Sequence, residues 1–420
     1  MSRSDRFEPD KTADNRGAFE RDRDRILYSS GFRRLAEVTQ VVSADAGHVF
    51  HNRLTHSIQV AQVGRRIAEK LKRESPEVEV DPDVVESACL AHDLGHPPFG
   101  HLGEEALNEL ALNNGLEGFE GNAQSFRIVT RLATGPGARG LNLTRATLNA
   151  LLKYPWLHGQ NPVKPDKFGA YGDDREIWEW ARSLGPQTLV PCLEAQLMDW
   201  ADDVTYSVHD LDDFYRAGVL PIDRLVNDRP ERKRFFAAAL EGTTLPTGMD
   251  EAMLRGEFES FLDILTLSKP FESCRSERQN VRNFTATLIR RFVEAIGLAG
   301  SPPTLTFERT SEAWIFMLKK LVWHYVIKRP ALATQQHGQR KVIDGLFEAF
   351  YRAATEAPRL HLEIFPPSAR EWLPEKPAVD KPGSARAIID FIATLTEEQA
   401  VRTFHRLSGI ALGASLVQPL

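Results

Sequence analysis

Apolar residues recur at intervals of three and four along most of the chain, which is the spacing of one face of an α-helix. Few segments alternate apolar and polar residues with the period of two that a half-buried β-strand requires. The pattern therefore predicts a mainly α protein, with helices near 52–72, 83–93, 101–110, 123–133, 144–153, 189–215, 230–240, 250–268, 281–297, 311–328 and 340–356. A long loop rich in proline, glycine and lysine is predicted at 155–175.

The composition excludes several classes of protein. Hydrophobic residues make up 42% of the 420 residues, which is too many for a disordered chain, and a formal net charge of −6 does not mark the whole protein as a binder of nucleic acid or membranes. No apolar run is long enough to predict a membrane span or a signal peptide. The three cysteines show no CxxC spacing, so we expect reduced thiols and a cytoplasmic location. Residues 1–25 are polar and charged and predict a flexible arm.

The segment HDLGHPPFGH at residues 92–101 ends an apolar helix, because its glycines and prolines cannot continue one. A carboxylate such as Asp93 is costly to bury in this setting unless it is paired, and a metal ion would pair it. Imidazole and carboxylate ligands suit Mn, Fe, Co, Ni, Zn or Mg. A lone His-Asp dipeptide is weak evidence, since it also occurs by chance and Asp93 could equally be an ordinary helix-end residue.

Other ionisable residues converge on the same break between helices. His56 lies among apolar neighbours on the preceding predicted helix. His96 and His101 follow His92 within the segment, and Glu104 lies one helical turn beyond His101. Each histidine alone is more simply explained as a core or surface residue, but the set together favours a metal or catalytic site.

A further ligand is expected from a distant helix, and the helix predicted at 189–215 is the best candidate. Asp202, Tyr206 and Asp210 are spaced by four, so they share roughly one face. Acidic residues on a packed helix need a partner, such as a metal ion or a ligand hydroxyl. The alternative is a solvated acidic face, since Asp199, Asp203, Asp212 and Asp213 lie on the same segment.

The order of His56, His92-Asp93 and Asp202 resembles the H…HD…D signature of the HD superfamily of metal phosphohydrolases. More closely, the chain resembles the deoxyguanosinetriphosphate triphosphohydrolase-like family. The segments that carry the resemblance cover roughly residues 20–215 and are TQV at 39–41, RLTHS at 53–57, AHDLGHPPFGH at 91–101, GFEGNAQ at 118–124, LNLTRAT at 141–147, LLKYPW at 151–156 and the helix at 196–213.

The resemblance implies a divalent metal ion (Mn, Mg, Co, Fe or Ni) held by His56, His92, Asp93 and Asp202. The dipeptide alone leaves Asp202 and Asp203 open as the last ligand. Relatives follow the metal aspartate with a tyrosine four residues later and an acid eight residues later, which favours Asp202. The resemblance assigns that tyrosine and acid, here Tyr206 and Asp210, to the deoxyribose.

The resemblance also implies roles around the metal. His101 and Glu104 match the catalytic pair, and the chemistry agrees, since a histidine can shuttle a proton and a carboxylate three residues on can orient it. The positions that match contacts to the substrate are Arg53 and Lys153 for the triphosphate, Asn122 and His96 for further phosphate contacts, and Gln40 with the backbone near Val41 for the base. Some relatives carry a histidine where this chain has Gly121, so proton transfer is expected to depend on His101.

The function that the resemblance implies is hydrolysis of deoxynucleoside triphosphates to deoxynucleoside and inorganic triphosphate. The alternatives are another HD nucleotide phosphohydrolase, or a nucleotide-sensing or single-stranded-DNA-binding regulator with low turnover. We expect an HD-domain helical bundle as catalytic core over 26–215 and additional helices over 216–420 that complete the core and form an oligomer interface. A homo-oligomer (tetramer or hexamer) is expected, an allosteric nucleotide or single-stranded DNA is left open as a further partner, and no membrane partner is expected.

Overall fold

The computed structural model describes residues 2–10, 15–40, 51–137, 139–185, 188–265, 267, 269–327, 330–356 and 359–409. Within these ranges the chain is mainly helical with one two-stranded antiparallel sheet, which confirms the predicted fold class. The helices are α1 (Ala18–Leu27), α2 (Ser30–Arg34), α3 (Arg53–Glu74), α4 (Pro82–Ala91), α5 (Gly100–Asn113), α6 (Gly121–Arg127), α7 (Arg145–Ala150), α8 (Arg175–Arg182), α9 (Leu193–Arg216), α10 (Ile222–Asn227), α11 (Arg229–Leu240), α12 (Glu251–Ile264), α13 (Arg275–Glu294), α14 (Arg309–Val322), α15 (Pro330–Thr355), α16 (Pro367–Arg370), α17 (Lys381–Ala393) and α18 (Glu397–Leu407). The strands are β1 (Ile296–Ala299) and β2 (Thr304–Phe307).

The helices α3, α4 and α9 form the centre of the larger hydrophobic core. The start of α3 is set by Asn52, whose side chain accepts a hydrogen bond from the Thr55 N–H at 2.9 Å. Helix α4 begins at Pro82, and the side chain of Asp81 caps its N-terminus. A Cβ at Gly64 would lie under 3.0 Å from the Cys89 sulfur, so glycine allows α3 and α4 to approach closely.

A second hydrophobic core lies between α5 and the C-terminal helices α15, α17 and α18. Buried ionic contacts join this part of the chain to the first core. Arg127, at the end of α6, donates to Asp390 on α17 at 2.8 Å and to Asp174 at 2.9 Å. Gln124 donates to the other oxygen of Asp390 at 3.1 Å. The C-terminal helices therefore pack directly on the segment around α6, while the domain limits at residues 25 and 215 stay a prediction.

The N-terminal residues lie against the helical core. Arg6 donates to Asp22 on α1 at 2.6 Å, and the Arg145 N–H donates to the Asp5 carbonyl at 2.9 Å. Composition suggested a flexible arm at residues 1–25, and its flexibility stays a prediction, while the charges of the described residues 2–10 meet partners on the core. A run of charged residues does not itself show whether its partners are water or protein.

The boundaries of several elements differ from those that the periodicity of the sequence predicts. The helix predicted at 281–297 ends at Glu294, and the chain turns into the β1–β2 hairpin, which pairs Ile296 with Phe307. The helix predicted from 340 starts at Pro330, and α17 and α18 were not predicted. A π-helical turn at Ile128–Leu132 follows α6, and a second one at Trp323–Ile327 follows α14. Across the described ranges, the helices lack the length and hydropathy that a membrane crossing requires.

Replacement of Asp390 by alanine is expected to lower the free energy of unfolding by about 3–5 kcal/mol, because it leaves the buried Arg127 and Gln124 without their shared partner. Denaturant unfolding followed by circular dichroism measures this change. The control is Glu398→Ala on α18, whose carboxylate pairs with Arg402 at the surface and which should cost about 0–1 kcal/mol. Equal effects of the two substitutions would show that the buried contacts stabilise the fold no more than a surface ion pair does.

Candidate active site

Three helical elements bring four predicted ligands to one point. His56 lies in the first turns of α3, His92 and Asp93 follow the end of α4, and Asp202 lies in the middle of α9. His56 Nε2 lies 3.0 Å from Asp202 Oδ1, and His92 Nε2 lies 3.5 Å from the same oxygen. His92 Nε2 also lies 3.5 Å from Asp93 Oδ1. The side chains of His56 and Asp202, which are almost 150 residues apart in the sequence, are therefore neighbours in the fold.

The residues fit a divalent cation. His92 donates from Nδ1 to the Cys89 carbonyl at 2.6 Å, which leaves the buried Nε2 facing the two carboxylates without a hydrogen-bond partner in the described part of the chain. One ligand atom from each of His56, His92 and Asp93 lies within 4.8 Å of the others. Burial opposes the protonated form of His92, but Asp93 and Asp202 outweigh it and raise its pKa to about 9. The site thus attracts positive charge at the point where a metal would bind.

The two adjacent aspartates on α9 have different surroundings. Asp202 faces both histidines, whereas Asp203 Oδ1 lies 2.5 Å from Lys319 Nζ on α14. Consecutive helical side chains point about 100° apart, so only one of the pair can face the histidines. This geometry favours Asp202 as the ligand over Asp203.

The segment between α4 and α5 is held against α6. A Cβ at Gly95 would lie under 3.0 Å from the Gly121 carbonyl oxygen and from the Ser125 nitrogen, so only glycine fits. The Gly95 N–H donates to Ser125 Oγ at 2.8 Å, and that hydroxyl donates to the His92 carbonyl at 2.7 Å. Phe99 has a left-handed φ of 68° where α5 begins. The sharp turn places the first residues of α5 beside the histidines.

His101 and Glu104 form a hydrogen-bonded pair at the start of α5. His101 Nδ1 lies 3.3 Å from Glu104 Oε2, and the His101 side chain is 77% exposed. Glu104 also accepts from the Gly121 N–H at 3.2 Å and faces Lys167 Nζ at 3.5 Å. Burial would raise the pKa of Glu104, but the His101 hydrogen bond and the charges of His96 and Lys167 lower it. Glu104 is thus an ionised group that orients an accessible imidazole.

Both predicted phosphate-binding cations lie beside the aspartates. Arg53 is buried and donates to Asp93 Oδ2 at 2.8 Å and to the Thr39 carbonyl at 3.0 Å. Lys153 Nζ lies 2.5 Å from Asp199 and 3.6 Å from Asp202. Burial opposes the charge of Lys153, but these carboxylates raise its pKa well above the ordinary value. Both residues are therefore fixed cations.

A cleft of about 550 Å³ opens over these groups. The predicted residues that line it are Gln40, Arg53, His92, Asp93, His96, His101, Glu104, Asn122, Lys153, Asp202 and Tyr206. The structure thus gathers nearly the whole predicted set on one surface, with His56 buried beneath it.

The remaining predicted contacts are placed as follows. His96 Nδ1 lies 3.0 Å from Asp93 Oδ1, and the Asn122 amide donates to Glu120 at 2.9 Å. Gln40 Oε1 is buried without a partner among the described residues, while Val41 lies outside them. Asp210 is buried one turn beyond Tyr206 and has an unpaired Oδ2 within the described structure; burial raises its pKa well above the ordinary value.

Several residues that line the cleft were not predicted. They are Glu120, Tyr154 and Lys167 and, from α14 and its π-helical continuation, Phe316, Lys319, Lys320, Trp323 and Ile327. Glu120 and Tyr154 lie inside the segments that carried the resemblance, so they could have been found there. The residues of α14 had no signal beyond amphipathic spacing, because only the packing of α14 on α9 brings them to the cleft.

Comparison with known proteins matches two families. The HD domain family matches residues 53–207, and the phosphohydrolase-associated domain family matches residues 305–406. A deoxyguanosinetriphosphate triphosphohydrolase-like protein of Streptomyces coelicolor is 40% identical over 424 residues, which covers 96% of this chain and 95% of the relative. Proteins of the same name from Corynebacterium efficiens and a Shewanella species are 36% and 33% identical, over 95% and 96% of this chain and 93% and 94% of their own lengths. The chain belongs to the deoxyguanosinetriphosphate triphosphohydrolase-like family of HD-domain proteins.

Proposed function

We propose that the protein is a metal-dependent hydrolase that converts deoxynucleoside triphosphates to deoxynucleosides and inorganic triphosphate. The observation that carries the proposal is the convergence of two histidines and two aspartates at the base of a cleft that also contains fixed cations and an exposed histidine. The name shared by its relatives supports the substrate class. The membership of an HD-domain family supports the wider class of nucleotide phosphohydrolase.

His56, His92, Asp93 and Asp202 would hold the metal. When bound, a divalent ion polarises a phosphate oxygen and lowers the pKa of water from near 16 toward about 7. A set of two imidazoles and two carboxylates favours Mn, Fe, Co or Ni, with Mg as a further candidate. The orientation of the His92 ring suits this role, because its Nδ1–H donates to the Cys89 carbonyl and Nε2 is left to bind the ion.

Arg53 and Lys153 would neutralise the triphosphate. Hydrogen bonds to Asp93 and to the Thr39 carbonyl hold the Arg53 side chain in place. It would therefore lose little conformational entropy when substrate binds. Lys153 lies against Asp199 and can contact a phosphate oxygen from the same place. Fixed cations beside the reacting phosphate stabilise the charge that develops in the transition state.

Proton transfer would fall to His101. The oxygen of water forms a bond to the α-phosphorus, and the bond from that phosphorus to the 5′-oxygen breaks. The departing 5′-oxygen takes a proton from His101, and the water proton restores it. Glu104 binds Nδ1 and so leaves Nε2 as the atom that carries the transferred proton. Gly121 holds no side chain that could replace His101.

The nucleoside would extend along α9. Asp210 has an unpaired carboxylate oxygen in the described structure, and it would accept a hydrogen bond from the 3′-hydroxyl. Tyr206 lies one turn before it and lines the cleft. The buried Gln40 oxygen would accept from the base. The homo-oligomer, the cytoplasmic location, the allosteric nucleotide and single-stranded DNA stay predictions.

Incubation of each of the four deoxynucleoside triphosphates with protein and Mn, Mg, Co or Fe is expected to yield deoxynucleoside and intact triphosphate, resolved by chromatography. The same experiment gives the base preference. Release of pyrophosphate or single phosphates would instead support another HD phosphohydrolase. Nucleotide binding without turnover under every metal would contradict the proposal and favour a sensor.

The substitution Asp202→Asn is expected to weaken metal binding at least about tenfold, because it removes a charged ligand. Asp203→Asn is the matched control, since the neighbouring carboxylate pairs with Lys319. Metal content after dialysis, measured by mass spectrometry, reports the difference directly and needs no substrate. Loss of metal from the Asp203 variant with retention in the Asp202 variant would reverse the assignment.

The substitution His101→Ala is expected to lower kcat by about 10²–10⁴-fold and to leave nucleotide affinity nearly unchanged, because it removes only the proton donor. The control is His405→Ala, an exposed histidine on α18, which should retain full activity. Steady-state rates and equilibrium binding of a non-hydrolysable deoxynucleotide separate the two effects. A full rate in the His101 variant would exclude this residue as the proton donor.

A further inference from the structure

Arg386 on α17 is a buried cation without an acidic partner among the described residues. It is only 5% exposed, and its Nη1 has no hydrogen-bond partner in that part of the chain. The carboxylate one turn later, Asp390, is engaged by Arg127 and Gln124. Burial of a charge without an acidic partner costs free energy, which indicates a role for the contacts that Arg386 does make.

Arg386 contacts two separate segments of the chain. Its Nη2 donates to the Gly118 carbonyl at 3.0 Å, and its guanidinium lies over the Tyr171 ring at 4.0 Å from the ring centre. The Tyr171 hydroxyl is 3.3 Å from the Glu120 N–H nitrogen and 3.4 Å from the Glu120 carbonyl oxygen. One guanidinium therefore joins residues 118–120 to the end of the loop that carries Lys167.

The first of these segments lies along α5. The Phe119 N–H donates to Asn108 Oδ1 at 2.9 Å, and the Gly121 N–H donates to Glu104 Oε1 at 3.2 Å. Asn108 and Glu104 are four residues apart, so they share one face of α5. Gly118 has a φ of 104°, and a Cβ there would lie under 3.0 Å from Asn108 Oδ1, so only glycine fits. A shift at Gly118 would thus be passed to the Gly121 N–H.

Both segments supply a partner to the same oxygen of Glu104. Glu104 Oε1 accepts from the Gly121 N–H at 3.2 Å and lies 3.5 Å from Lys167 Nζ. Glu104 Oε2 faces His101 Nδ1 at 3.3 Å. Because a carboxylate is planar, partners that fix one oxygen also fix the direction of the other. Arg386 contacts both segments that carry these partners, although it does not line the cleft.

We propose that Arg386 is a positioning residue for the pair of His101 and Glu104. It holds the two segments that orient one oxygen of Glu104, and the other oxygen then holds the His101 imidazole for proton transfer. The inference rests on the proposed function, because that function makes His101 the proton donor. A helix of the phosphohydrolase-associated region would then act on the reaction without contacting the substrate.

Arg386→Met is expected to lower kcat by about 10–100-fold, because small misplacements of a catalytic group have effects of this size. The KM and the metal content should stay close to those of the wild type. The matched control is Arg182→Met. Arg182 is 7% exposed, lies over the Trp178 ring at 4.8 Å and donates to the Thr188 carbonyl, so it resembles Arg386 in burial and in contacts but holds other segments. This variant should retain the wild-type kcat.

A second comparison repeats both substitutions in a Glu104→Ala background. If Arg386 acts through Glu104, Arg386→Met should lower kcat there by less than about twofold, because the group that it positions is already absent. A general disturbance of the fold would lower kcat by the same factor in both backgrounds. The comparison therefore separates positioning from a merely structural role.

A measurement without substrate separates this inference from the proposed function. An ionised Glu104 accepts from His101 Nδ1, so the neutral imidazole should carry its proton on Nδ1. Nitrogen NMR of protein with ¹⁵N-labelled histidine reports the tautomer at about pH 8.5, where an ordinary histidine is neutral. His101→Ala identifies the signal. Arg386→Met should reduce the Nδ1–H fraction, and Arg182→Met should leave it unchanged.

An unchanged His101 tautomer in folded Arg386→Met protein would overturn the inference, and so would equal factors of kcat loss in the two backgrounds. If the methionine variant does not fold, Arg386→Lys serves in the same comparisons, since it keeps the charge but loses the planar guanidinium. A tautomer shift in the variant of a protein whose wild type hydrolyses no deoxynucleotide would refute the proposed function and leave the positioning of His101 supported.

Discussion

Asp93 is buried at the end of α4, and a carboxylate in that position is stable only if surrounding charges neutralise it. Arg53 binds one of its oxygens, and His92 and His96 face the other. Burial would raise the pKa of Asp93, but His92, Arg53 and the hydrogen-bonded His96 hold it well below the ordinary value. The need to surround one buried charge therefore unites α3 with the α4–α5 segment, and Asp202 of α9 adds a second carboxylate that faces His56 and His92, where a metal ion would balance the charge.

The C-terminal region takes part in holding this site. Arg34 donates to the carbonyls of Leu94 and His96 in the segment and to that of Leu395 near α18. Glu397 accepts from the backbone N–H groups of Thr39 and Phe99. These contacts tie the start of α5 and the strand-like residues before α3 to the C-terminal helices. The phosphohydrolase-associated region thus supports the geometry of the α4–α5 segment in addition to supplying α14 as a wall of the cleft.

The α3–α9 pair also lies between the cleft and a second concave surface on α13. On one side the cations Arg53 and Lys153 are held by carboxylates, so their charge is fixed in place. On the other side the arginines of α13 face a groove that contains a single acid. The first arrangement suits a reacting group that must be positioned closely.

The sequence alone determined the helical class, the break at residues 92–101, and the candidate ligands, because periodicity and short polar motifs are local properties. It also placed Tyr206 and Asp210 on one face of α9. The residue pattern by itself could not separate Asp202 from Asp203, although the family resemblance favoured Asp202, because the choice depends on which carboxylate meets His56 and which meets Lys319.

The tertiary structure alone decided the cleft wall made by α14 and the groove on α13, because these arise from helices that lie far apart in the chain and meet only on packing. The same holds for the contacts of residues 2–10 and of Asp390, whose charges could as well have faced water. A local pattern specifies which face of a helix is apolar, but it carries no information on which distant helix will cover that face.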